Sequence, residues 1–171
     1  MMTYLKIALL ALCAVLMIGT PSHAVTFEVG SDVALPGATV ELPVSVALEA
    51  SDEVAAIQFD VLVDSAALVA DSVRIGPASE AAGKTMTVTP QPDGTVRVLL
   101  IGFNQNLYAD GVVAFSDVAV SAEATTGSYL ITLANVLLSD AFGNPVGSQV
   151  IPGALDIDGG EGEGEGEGEG E

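Results

Sequence analysis

Thr39-Val40-Glu41-Leu42-Pro43-Val44-Ser45-Val46 carries valine or leucine at every even position and a polar residue or proline at every odd one. Successive side chains of a strand point to opposite faces, so this is the pattern of a strand with one face in a core and the other in water. Val40, Leu42, Val44 and Val46 are the expected inner face. Pro43 has no N–H to give to a ladder. The strand is therefore expected at a sheet edge, or with that donor position unpaired.

The same period of two recurs on both sides. Thr26–Val29 is a short strand upstream. Ala55–Val63 alternates with Ile57, Phe59, Val61 and Val63 inward and Gln58, Asp60 and Leu62 outward. Leu68–Ile75 and Thr85–Thr89 follow, the latter ended by Pro90. Asp93-Gly94 is a turn signal, and Thr95–Phe103 reads as the strand after it. Val112–Ala122 offers Val113, Phe115, Val118 and Val120 to the core, with a phase slip near Ser116-Asp117 that predicts a bulge. Gly127–Leu138 offers Tyr129, Ile131, Leu133 and Val136. Asp140–Pro145 is a turn, and Val146–Ile157 closes the series. Ala78–Gly83 has room for one helical turn at most. Nine short strands with turns between them predict an all-β sandwich.

Different compositions flank this series. Lys6, the apolar run Ile7–Ile18 and the small-residue end at Ala24 form a secretory leader, with cleavage expected after Ala24. The run is too short to span a membrane comfortably. Gly160–Glu171 alternates glycine with glutamate and has nothing apolar to bury, so it is expected to be a disordered acidic linker. The organisation expected is a signal peptide over 1–24, one domain over 25–158 and an acidic tail over 159–171. The mature protein is then secreted, extracellular or at the cell surface, with no membrane insertion after cleavage.

Composition narrows function. The one Cys (Cys13) and the one His (His23) fall in the leader, and the chain has no Trp. A mature domain without thiol or imidazole lacks the commonest nucleophile, base and soft metal ligands. The net charge of −19 opposes nucleic acid and anionic lipid. Asp60 with Asp64, Asp110 with Asp117, and Asp156 with Asp158 are carboxylate pairs by number. Glycoside hydrolysis needs such a pair across a cleft, and a sandwich with short loops offers little cleft. No metal-ligand spacing is present, and no catalytic residue, metal or cofactor is assigned.

Four ordered motifs resemble the cohesin domain, the module that anchors cellulosomal scaffoldins to dockerin-bearing enzymes. Gly37-Ala38-Thr39-Val40-Glu41-Leu42-Pro43-Val44 is similar to that family's entry strand. Ile57–Asp64 followed by Ala67-Leu68 is similar to its strand ending in an aromatic-Asp pair, with Val63 in place of the aromatic. Asp110-Gly111-Val112-Val113-Ala114-Phe115 and Gly127–Leu133 complete the order. The resemblance spans about Val25–Ile157. It implies a nine-stranded jelly-roll sandwich and a dockerin-like protein partner docked on one sheet face, the partner being the calcium-binding side. Ala56 and Gln58 stand where cellulosomal cohesins offer Asn and Asp to the dockerin.

Thr95–Phe103 is the one strand apolar on both faces. With Val96, Val98 and Leu100 inward, Leu99 and Ile101 point out beside Arg97. Gln58, Asp60, Leu62, Arg97, Leu99 and Ile101 are then the candidate partner-binding face. The competing reading covers this strand with the loop Asn104–Asp110. That loop holds Asn104, Gln105, Asn106 and Tyr108, whose amides and phenol suit sugar hydroxyls or simply a polar turn. Three functions remain open: a docking module for a protein partner, with a role in polysaccharide-related assembly; a carbohydrate-binding module; and a structural extracellular domain.

Overall fold

The computed structural model describes residues 24–63 and 65–159. The leader before Ala24, Asp64 and the Gly-Glu tail from Gly160 lie outside the described residues. Two sheets pack face to face. One runs β11-β1-β3-β8-β5, built from β1 (Val25–Val29), β3 (Thr39–Ala47), β5 (Leu68–Ile75), β8 (Gly111–Val120) and β11 (Ser148–Ile151). The other runs β2-β12-β9-β4-β7-β6, with β2 (Asp32–Ala34), β4 (Ala56–Val63), β6 (Thr85–Pro90), β7 (Val96–Ile101), β9 (Gly127–Ser139) and β12 (Gly153–Ile157). The two-residue β10 (Pro145–Val146) adds to β9, and α1 (Pro77–Ala81) is one short helical turn after β5.

The described residues thus hold twelve extended segments where alternation suggested nine. Two physical reasons account for the difference. Asp32–Ala34 is too short to show a period. The stretch 146–157 is broken by Gly147 and Pro152, so it serves both sheets in turn rather than forming one strand.

The core fills the space between the sheets. Phe27 of β1 and Phe59 of β4 meet across it with ring centroids 6.3 Å apart and planes tilted by 54°. Leu42, Val44, Ile57, Leu100, Ile131 and Leu155 are fully buried around them. Each such side chain stabilises the fold by roughly 1.5–3 kcal/mol relative to exposure.

β3 is central, between β1 and β8, and not an edge strand. Its proline is tolerated because the missing donor falls where β1 has ended. The Pro43 carbonyl accepts from the Gly30 N–H at 2.8 Å, one residue past β1. A Cβ on Gly30 would lie 2.6 Å from Pro43 Cδ, so the ring fits only against glycine.

Three bulges reset the inside-outside alternation. On β8 the slip lies at Val113-Ala114, both fully buried, and not at Ser116-Asp117. Ser116 therefore faces the core with its hydroxyl unpartnered. Phe115, an expected core residue, turns outward beneath Arg74, whose guanidinium carbon is 5.7 Å from the ring centroid. On β5 the register shifts between Ala70 and Ser72. On β9 it shifts opposite Gln58–Asp60, where Asn135 adopts φ +49°. Leu138 is thereby core, while Val136 and Tyr129 are only half-buried.

Candidate functional site

The outer face of the larger sheet is built by register. Gln58 of β4 opposes Leu99 of β7 and Leu137 of β9, and Leu99 opposes Thr87 of β6. One row across four strands is therefore Thr87-Leu99-Gln58-Leu137. The next row is Thr89-Arg97-Asp60-Ala134. Ile101 stands opposite Thr85, and Leu62 opposite Thr132. All six residues expected on the partner-binding face point out from this sheet.

Five of the six are accessible, and Asp60 is not. Its residue is 2% exposed although it faces outward. Arg97 donates Nε–H to Asp60 Oδ1 at 2.7 Å and an Nη2–H to Oδ2 at 2.8 Å. Asn135 donates from Nδ2 to Oδ2 at 2.7 Å. Covered by its partners, Asp60 is a support for Arg97 rather than a contact residue. The Arg97 hydrogen bonds hold its carboxyl below the usual range, against burial and with help from Asn135. The pair also divides the face. Leu62 lies on one side of it and Leu99 on the other, so they do not form one continuous patch.

The apolar side is the larger. Leu137 is 63% exposed and Ile101 42%. Ala56, Gln58, Leu99, Leu137 and Ser139 line a shallow depression of about 190 Å³. Leu137, Thr87 and Asn135 were not among the residues expected here. Thr85-Met86-Thr87-Val88-Thr89 did show its alternation. Leu137, next to Leu138, could be placed only once the bulge at Asn135 was known. Asparagine inside a β-rich run was the available signal, since it tolerates positive φ.

The loop after β7 does not cover this face. It turns to the helix end of the sandwich. Tyr108 N–H donates to the Val54 carbonyl at 2.8 Å, Asn104 Nδ2 to the Gly83 carbonyl at 2.8 Å, and Asn106 Nδ2 to the Ala82 carbonyl at 3.2 Å. Lys84 Nζ, almost fully buried, donates to Asn104 Oδ1 at 2.9 Å. Tyr108 is 5% exposed, and burial pushes its phenol up to about 12. Asn104, Asn106 and Tyr108 thus tie this loop to the end of the sandwich, as a polar turn does, while Gln105 stays exposed.

The carboxylates are likewise dispersed. Asp110 Oδ1 accepts from Leu48 N–H at 2.7 Å. Asp117 lies on the other sheet with Ser72 and Arg74, and Arg74 also pairs with Glu41. Among the described residues, no three His, Cys, Asp or Glu side chains converge as a metal site would require. A wider depression of about 540 Å³ adjoins Leu62, between Val69, Asp93 and Thr95. Asp93 is the one ionisable group among its described lining residues.

Comparison with known proteins agrees with this architecture. No curated protein matches the chain. Among solved structures, the sixth cohesin of Acetivibrio cellulolyticus scaffoldin B, in complex with a Cel5 dockerin mutant, superposes with TM-score 0.70 at 19% identity. That match covers 80% of this chain and 100% of the other. The cohesin of the Clostridium thermocellum OlpA–Doc918 complex gives 0.69 at 19% identity, over 80% and 100%. A non-cellulosomal cohesin from the archaeon Archaeoglobus fulgidus gives 0.67 at 21%, over 81% and 94%. The cohesin-domain family profile matches residues 25–151, most of the chain, and the chain belongs to the cohesin domain family.

Proposed function

We propose that the chain is an exported, non-catalytic docking module that binds a dockerin-type protein through the outer face of its larger sheet. The observation that carries this is the register. It sets Thr87, Leu99, Gln58 and Leu137 in one accessible row across four strands, with none of the described loops over them. The solved cohesins of the Acetivibrio and Clostridium complexes are themselves bound to dockerins. Contact residues on this face are Gln58, Leu62, Arg97, Leu99 and Ile101, joined by Leu137 and Thr87, with Asp60 acting through Arg97. The leader over 1–24 directs export to the extracellular space or cell surface, the domain over 25–158 docks, and the Gly-Glu tail spaces it from its surroundings. A polysaccharide-related assembly is the setting that the family suggests.

The test is a pull-down from the exported fraction of the source organism, with and without calcium, using the domain and its Leu99→Glu variant. Calcium-dependent capture of a dockerin-bearing protein by the parent and not by the variant supports the proposal. Capture of polysaccharide by both would move the assignment to a carbohydrate-binding module. Capture of nothing by the folded domain would leave a structural extracellular role.

A further inference from the structure

Arg97 stands apart from the other basic residues. Among the described residues the basic side chains are Arg74, Lys84 and Arg97. Arg74 lies on β5 of the other sheet and is paired with Glu41 and Asp117. Lys84 is buried at the helix end and donates to Asn104. Arg97 alone of these three lies on the outer face of the larger sheet, between the Leu99 and Leu62 sides.

Its guanidinium is held rather than free. A guanidinium has five N–H donors in a planar fork. Asp60 takes two of them, at 2.7 and 2.8 Å, and Asn135 fixes the second carboxylate oxygen from the far side. Three N–H donors remain, on a side chain that is 38% exposed. The ordering entropy of a long side chain has thus been met before any partner arrives, which is what makes a contact specific at little further cost. Asn135 occupies a left-handed backbone conformation at the bulge, and that conformation delivers its amide to Asp60.

The local charge decides which acceptor fits. Asp60 already balances Arg97, and Asp93 also acts on it through its field. A third carboxylate brought into a desolvated contact would be left without a cation, which is costly. The chain's net charge of −19 repels an acidic partner at longer range as well.

We infer that Arg97, positioned by Asp60 and Asn135, is the polar specificity anchor of the docking face and donates to an uncharged oxygen of the partner, a main-chain carbonyl or an amide or hydroxyl side chain. The inference rests on the docking function proposed above and adds the chemistry at its centre. Asp60 and Asn135 are positioning residues in this arrangement.

The experiment titrates the full chain with two calcium-loaded probes, the Cel5 dockerin of Acetivibrio cellulolyticus and the Doc918 dockerin of Clostridium thermocellum. Wild type, Arg97→Lys, Arg97→Met and Leu99→Glu are compared by calorimetry. Arg97→Lys is expected to weaken binding by about tenfold or more, the size of one lost charge-assisted hydrogen bond. The ratio of wild-type to Arg97→Met affinity is expected to hold from low to high salt, because an uncharged acceptor is little screened. A second measurement needs no variant: in arginine-labelled wild type, the Arg97 side-chain nitrogen resonances shift as dockerin is added. Arg97→Lys binding within about twofold of wild type, with Leu99→Glu still abolishing it, refutes the anchor and leaves the face. Unmoved Arg97 resonances refute it too, and a ratio that collapses with salt refutes the uncharged acceptor. Where neither dockerin binds wild type, the dockerin captured in the pull-down above serves as the probe; no binding there either overturns the docking function and the anchor together, and so is distinct from the anchor failing alone.

Discussion

Leu99 and Leu100 are neighbours in sequence with the same side chain, and the fold gives them opposite roles. Leu100 is 0% exposed, opposite Ile57 in the core, while Leu99 is half-buried on the outer face between Gln58 and Thr87. Leu100→Ala removes buried methyl groups and leaves a cavity, at a cost of about 2–5 kcal/mol. For a domain of this size that is a fall in Tm on the order of 10 °C or more. In urea, with m of about 1–3 kcal/mol/M, the midpoint drops by roughly 0.7–5 M. Leu99→Glu loses only partial burial. Its cross-strand neighbours Gln58 and Thr87 are neutral, so the new carboxylate has no like charge opposite it. The expected cost is below about 1 kcal/mol. Urea unfolding followed by circular dichroism measures both variants with m checked for constancy. A Leu99→Glu domain destabilised as much as Leu100→Ala would refute the inside-outside assignment of β7, and the docking face with it.

The Asp60 carboxyl is lowered in the fold by its hydrogen bonds from Arg97. A depressed folded-state pKa contributes stability above the unfolded value of about 3.9, lost as pH falls through the lower folded value. Wild type minus Asp60→Asn stability, from urea midpoints across the acid range, is therefore flat above the carboxylate range and shrinks towards lower pH; a difference independent of pH would show that Asp60 is not held charged. Ser116 buries an unpartnered hydroxyl on β8. Ser116→Ala is expected to be neutral or to stabilise by up to about 1 kcal/mol, because an unmet polar group leaves the core; a loss beyond about 1 kcal/mol by calorimetry would mean the hydroxyl has a partner.

Alternation along the chain was enough to give strands, a sandwich and the inner faces of β3, β4 and β7. Those faces depend on side chains taking turns on a pleat, which is a local property of the sequence. The face of Gln58, Asp60 and Leu62 with Arg97, Leu99 and Ile101 followed from the same rule. Rank order in the sheets did not follow, because Pro43 marks an absent N–H and not an edge. Only the end of β1 at Val29 reveals that a central strand can carry it. The bulges escaped for a related reason. Val113-Ala114 and Asn135 shift phase against a partner strand, and the partner is known only in three dimensions.

The fate of Asp60 shows the same division at the site. Its sequence position makes it an outward acidic residue, as available as Gln58. Tertiary structure places Arg97 opposite it and, through the Asn135 bulge, an amide beside it. The outward carboxylate then becomes a buried support, and Leu137 becomes an exposed apolar side chain of the same face. The sequence by itself determined what alternates, and hence the sandwich and its two faces, because strand periodicity is local. Tertiary structure decided which strands neighbour one another and where the phase slips. Pairing is non-local, and one extra residue in a bulge reverses every side chain beyond it.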